Sequence, residues 1–140
     1  MEMNIPGSRT SIRGIGIDME DNSRIGRMIL KWGETFTGRI FTENEIAYCS
    51  PKHDKFASFT ARFAAKEALF KAIGTGLRDG YKWKEIEILN DHLGKPYFRF
   101  YGRVKETIGK DRVLVSLSHT AQISFAFVVI EHSFEGGKYD

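Results

Sequence analysis

Apolar positions along the chain change their period twice, and the changes mark out its elements. Over 12–18, Ile15 and Ile17 alternate with Gly14 and Gly16, the period of two expected of a strand. Over 22–32 the period is helical, with Ile25, Met28, Ile29 and Trp32 on one face and Gly33 as a stop. Thr42 and Glu45 have the spacing of a capping box, which opens a short helix over 43–49 ahead of Ser50-Pro51. A longer helix is expected over 54–73, stopped by Gly74 and Gly76. Period two then returns. "WKEIEIL" and "YFRFYG" read as strands about the turn "NDHLGKP", and "GRVKETIG" as a short helix or an irregular turn. "RVLVSLSH" and "ISFAFVVIE" form a hairpin across "TAQ". A strand, then helices, then a run of strands predicts an α+β fold with an antiparallel sheet packed by helices.

Within the long helix the pattern contains an anomaly. Positions 56, 59, 63, 67 and 70 share a stripe, and four of them are phenylalanine while Glu67 is a carboxylate. A charge on an apolar face must be paired, protonated or bound to a cation. Lys71, four residues on, is a partner in the favourable order for a helical ion pair. In the first strand, Gly14, Gly16 and Asp18 lie on one face, with Glu20 next if the chain stays extended. Two glycines there ask for close approach by a backbone, a helix or a ligand. Asp18 itself suits a turn or a helix cap as well as a site. Asp18, Glu67 and Glu20 together would make a hard oxygen site suited to magnesium, whose remaining positions are usually filled by water and substrate phosphates.

Length and composition narrow the rest. The chain has 140 residues, 41% hydrophobic and 28% charged, enough for one soluble domain. It is expected to span 12–133, with a polar arm over 1–11 and a tail over 134–140. The single cysteine, Cys49, excludes an intrachain disulfide and a cysteine-rich zinc site, so a cytoplasmic setting is the default. No run is long enough for a membrane span, so no membrane association is expected. A net charge of +3 and a pI of about 9.0 favour an anionic partner without choosing one. Arg24, Arg27 and Lys31 line one side of the first helix with Met28 at its border, either a solvated face or a dock for something acidic. Arg62, Lys66 and Lys71 put positive charge around Glu67. His119, at the end of a strand, is a polar residue that could also touch a phosphate or move a proton. "GTGLRDG" lacks the ending and preceding strand of a P-loop and carries little weight.

Taken in order, "GIGIDME", "FTENEIAYC", "FTARFAAKEALFKAIGTG", "LGKPYF" and "VSLSHT" resemble the holo-acyl-carrier-protein synthase group of 4'-phosphopantetheinyl transferases, in its small trimeric form, over about 13–131. The resemblance implies that Asp18 and Glu67 bind magnesium and that Lys71 lies near the coenzyme A pyrophosphate. It implies further that His119 lies near the coenzyme, that Arg62 and Lys66 belong to the coenzyme-binding helix, and that Gly94, Lys95 and Pro96 form a turn near the adenosine end. Arg24, Met28 and Lys31 would receive the acidic helix of acyl carrier protein. Asp18-Met19-Glu20 has the D-x-E form of the larger transferases, which leaves Glu20 open as a third ligand.

The implied reaction is magnesium-dependent transfer of 4'-phosphopantetheine from coenzyme A to a carrier-protein serine, releasing adenosine 3',5'-bisphosphate. Its serine proton goes either to a metal-bound water or to Glu67. A homotrimer would place each site between subunits, with "YFRFY" and "ISFAFVV" as contact surfaces. Two rivals remain: a non-catalytic nucleic-acid-binding module, which would leave Asp18 and Glu67 without a task, and a magnesium-dependent phosphohydrolase.

Overall fold

A computed structural model of the protein describes residues 11–75 and 80–133. Most of the expected arm, the expected tail, and Gly76 with most of the rest of "GTGLRDG" lie outside the described residues. Strand β1 (Ile12–Asp21) runs directly into helix α1 (Asn22–Trp32), whose N-cap is Asp21. The Asp21 carboxylate accepts from the backbone N–H groups of Ser23 and Arg24, so Asp18 is not the cap. Gly33, at φ 54°, ends α1 and at once starts α2 (Glu34–Ile40), a helix that the reading of Gly33 as a stop did not anticipate. The capping box forms as expected at α3 (Glu43–Cys49): Thr42 N–H donates to Glu45 Oε1 at 2.9 Å and Glu45 N–H to Thr42 Oγ1 at 3.3 Å.

Helix α4 (Lys55–Ile73) ends at Gly74, which takes the left-handed φ of 92°. A short 3-10 turn then leads to β2 (Ile86–Asn90) and β3 (Pro96–Phe100). Helix α5 (Gly102–Ile108) settles the ambiguous "GRVKETIG", and β4 (Arg112–His119) and β5 (Ile123–Glu131) form the expected hairpin.

The α+β architecture stands, with one refinement. The strands form two antiparallel sheets, β1-β5-β4 and the separate hairpin β2-β3, because α4 lies in the core they share. Ala64, Ala65, Ala68 and Leu69 of α4 meet Ile86 and Ile88 of β2 and Ala126, Val128 and Ile130 of β5 in one cluster. The helix is therefore covered nearly all round and has no single apolar stripe.

The glycines of β1 let α4 press onto the sheet. A Cβ at Gly16 would lie 1.9 Å from the Ala68 carbonyl oxygen, and one at Gly14 2.1 Å from that of Ala72. The glycine face is thus the inner one, and the isoleucines point outward: Ile15, Ile17 and Met19 are 60%, 61% and 62% exposed. The register sets Ile17 beside Phe127 and Met19 beside Phe125, so the outer face of the sheet is an apolar stripe. On β3 the phenylalanines Phe98 and Phe100 instead stack on each other and pack toward the core, which leaves Tyr97, Arg99 and Tyr101 outward. Among the described residues no helix is long and apolar enough to cross a membrane.

Candidate active site

Where β1 leaves the sheet, its inner face changes from glycine to carboxylate. Asp18 is 9% exposed and faces α4. Lys71 Nζ donates to Asp18 Oδ1 and to the Ile17 carbonyl, each at 3.0 Å. The expected Glu67-Lys71 pair is thereby replaced: the long lysine side chain reaches across to the strand, where a more buried carboxylate and a backbone oxygen both accept from it. Asp18 Oδ2 is buried and has no hydrogen-bond partner. Glu67 is half-buried, and no hydrogen bond or ion pair holds it among the described residues.

Both carboxyls are pushed up from their ordinary range. Burial raises Asp18 to about 6, reinforced by the neighbouring Glu20 and opposed by Lys71. Glu67 is raised by burial and then by the charge of Glu20. Glu20 turns its Oε2 to Arg24 Nη2 at 2.7 Å. Too little positive charge sits among three carboxylates. Among the described residues no three His, Cys, Asp or Glu side chains gather as a metal-binding group. Two carboxylates are nevertheless a usual protein complement for magnesium, and the orphaned buried oxygen of Asp18 and a Glu67 without a partner among the described residues, both in the field of Lys71 and Glu20, are donors that fit a hard divalent cation.

A second group of candidate residues lines a cleft of about 240 Å³ elsewhere on α4. Its walls include Tyr48, Lys52, Asp54, Ser58, Arg62, Asn90, Gly94, Pro96 and His119. Arg62 is 3% exposed, lies 4.3 Å from the centroid of the Tyr48 ring, and donates through Nη2 to Asn90 Oδ1, while its Nε has no partner. His119 Nε2 is 3.6 Å from Asp54 Oδ2 at the rim. Gly94 has the left-handed φ of 86° that its turn requires, and its carbonyl accepts from Asn90 Nδ2. Lys95 is turned away and lines a larger, mostly apolar hollow of about 540 Å³ with Tyr97, Leu114 and Phe127.

Lys66 is the clear correction. It is fully buried, and Nζ donates to the Ile40 carbonyl at 2.7 Å, Glu45 Oε1 at 2.8 Å and the Trp83 carbonyl at 3.2 Å. An ammonium has three N–H donors and all are used, so Lys66 fastens α4 to α3 and has none left for a coenzyme. On α1, Arg24, Arg27 and Lys31 are exposed and Met28 is half-buried, as expected; Trp32 differs, 51% exposed with Lys31 Nζ over its ring at 5.0 Å. Tyr48, Ser58 and Asn90 belong to the cleft without having been singled out in the sequence. Nothing in their spacing marks them, because three separate elements bring them together.

A carboxylate centre that wants a cation and a cationic, aromatic-walled cleft, both hung on one helix, have the make-up of a group-transfer site for a phosphate-bearing substrate. The chain belongs to the 4'-phosphopantetheinyl transferase superfamily, whose family model matches residues 14–126. It is thus an enzyme of the transferase class, and a nucleic-acid module is not favoured. A holo-[acyl-carrier-protein] synthase of Solibacter usitatus is 43% identical over 124 residues, covering 86% of this chain and 99% of the relative. One of Geobacter sp. is 42% identical over 123 residues, 86% of this chain and 98% of the relative. Among solved structures, a holo-(acyl-carrier-protein) synthase from Bacillus anthracis in complex with CoA (3',5'-ADP) matches with a TM-score of 0.75 at 36% identity, over 89% of this chain and 100% of that one. The synthase from Neisseria meningitidis matches with a TM-score of 0.77 at 39% identity, over 86% and 99%.

Proposed function

We infer that the protein transfers 4'-phosphopantetheine from coenzyme A to a serine hydroxyl of an apo-acyl carrier protein and releases adenosine 3',5'-bisphosphate. The observation that carries this reading is the pair of under-compensated carboxylates, Asp18 and Glu67, beside Lys71. They would hold magnesium, which supplies charge neutralisation at the pyrophosphate when bound. Lys71 leaves Asp18 to bear on the pyrophosphate oxygens, adding a mobile positive charge where negative charge develops. Arg62, with an unpaired buried Nε, and His119 take the phosphate-bearing adenosine end in the cleft, where Lys52 and Arg62 lie over the Tyr48 ring. The exposed basic side of α1 receives the acidic carrier helix through Arg24, Met28 and Lys31.

The site is assembled between copies of the chain, as a homotrimer. The cleft that holds Arg62 and His119 has none of Asp18, Glu67 or Lys71 in its walls. The outward stripe of Ile15, Ile17, Met19 and Phe127 is an apolar surface of the kind that subunit contacts cover. An active monomer in sedimentation at assay concentration would overturn this part.

The reaction is tested by intact mass of an apo-acyl carrier protein incubated with the protein, coenzyme A and magnesium, beside a chelator control. A gain of about 340 daltons in the magnesium sample alone supports the reading, and no gain with several carrier proteins overturns it.

A further inference from the structure

Glu20 is the one carboxylate of the centre that the proposed reaction leaves without a task, and its position links two parts of the protein. On β1 it follows Asp18 by two residues, so the two project from the same face, about 7 Å apart along the strand. Its side chain is only 16% exposed, while that of its partner Arg24 is 52% exposed. The 2.7 Å ion pair therefore joins an inward carboxylate at the metal centre to an outward guanidinium on the basic side of α1. Arg24 has no second acceptor among the described residues. Nor does Glu20 serve the adjoining helix end, because Asp21 caps α1.

We propose that Glu20 is a gated third oxygen ligand of the cation: Arg24 holds it back, and engagement of Arg24 by an acidic carrier helix releases it, so that carrier docking tightens the metal. The proposal rests on the reading of Asp18 and Glu67 as the magnesium pair and of α1 as the docking side. An ion pair with one exposed member is weak enough to exchange reversibly. A carboxylate freed from Arg24 has a divalent cation as the nearest alternative to solvation, and two carboxylates alone leave most of such a cation's oxygen positions to be filled. Linkage makes the effect reciprocal: a cation that draws Glu20 away frees Arg24 for the carrier by the same factor.

The test is the affinity for Mn2+, read as loss of the free-ion signal in electron paramagnetic resonance, with coenzyme A saturating and no turnover. It compares the wild type, Glu20→Gln, Arg24→Gln and the double variant. Arg24→Gln is expected to tighten Mn2+ about fivefold in the wild-type background, the low end of measured couplings between sites, and much less in the Glu20→Gln background. Removing a cation helps a metal site in general, so it is the difference between backgrounds that reports the gate. A carrier protein whose acceptor serine is replaced by alanine should reproduce the tightening in the wild type and fail to do so in Glu20→Gln. An equal effect of Arg24→Gln in both backgrounds, or no response to carrier, overturns the gate while leaving the metal pair in place. Absence of Mn2+ binding in every protein, with Glu67→Gln as the control, removes the metal reading and the gate together.

Discussion

Asp18 should be a stability liability in the metal-free protein, and the structure sets the size of the effect. Its carboxyl titrates at about 6, against an ordinary value of 3.8, because burial outweighs the help of Lys71. Between pH 4 and 6 the folded chain therefore holds a proton that the unfolded chain releases. Stability falls as pH rises through that window and stays low above it. A shift of about two units corresponds to about 3 kcal/mol. Asp18→Asn keeps the shape and has no charge to bury, so it should recover up to about 3 kcal/mol at pH 7.5 and almost nothing at pH 4, while losing transfer activity. For a chain of this length that gain is roughly 10 °C in Tm. The assay is thermal unfolding at both pH values in chelator, at one fixed protein concentration because the proposed assembly would make Tm concentration-dependent. Added magnesium should raise the Tm of the wild type and leave the variant unchanged. A variant that melts below the wild type at pH 7.5 in chelator would refute the reasoning, since Asp18 would then be a net stabilising partner of Lys71.

Glu67→Gln should abolish transfer without lowering the melting temperature, and turnover near the wild-type rate would remove Glu67 from the metal pair. Lys66→Met removes the buried ammonium that Glu45, the Ile40 carbonyl and the Trp83 carbonyl share, at a cost of about 3 to 5 kcal/mol in chemical unfolding; a loss below about 1 kcal/mol would overturn Lys66 as the fastening of α4 to α3. Gly16→Ala puts a methyl group against the Ala68 carbonyl, so β1 and α4 must part, and both stability and Mn2+ affinity should drop; a normal affinity in a destabilised protein would separate the packing from the site. Asp18→Asn and Arg62→Ala, each inactive alone, should recover about a quarter of wild-type activity when mixed and allowed to exchange subunits, because random mixing leaves that share of sites intact. No recovery despite proven exchange would place the whole site within one chain.

The local grammar of the sequence carried over well. A capping box and helical spacing placed α1 and α3, and clean period-two runs placed β4 and β5. Helix α2 was hidden because Gly33 serves at once as the end of one helix and the start of the next, and "ETFTGRI" has neither strong propensity nor period. Strand periodicity names faces without saying which is inside. On β1 the apolar residues face outward and the glycines inward, the reverse of what hydrophobicity alone suggests, because α4 needs the room. The two acidic candidates were legible as anomalies, yet their partners were not. Sequence spacing offers Lys71 to Glu67, whereas the tertiary structure gives it to Asp18, fifty-three residues away.

The division of the site follows from the pitch of one helix. Arg62 and Lys66 are four residues apart and share a side of α4, and so do Glu67 and Lys71, but the second pair is turned about 100° from the first. The first side meets the end of β2 at Asn90 and helix α3 at Glu45. The second side meets β1 at Asp18. A run that reads as one basic and acidic patch in the sequence is therefore split between two surfaces, and Lys66, next to Glu67 in the chain, is the most completely enclosed charge of the helix. The two sides of the one helix thus face different neighbours. In the proposed reaction one coenzyme reaches both the Arg62 cleft and the Asp18 carboxylates, and a neighbouring copy that brought the second side would let it do so, which is why subunit mixing tests the architecture of the site more directly than any single substitution.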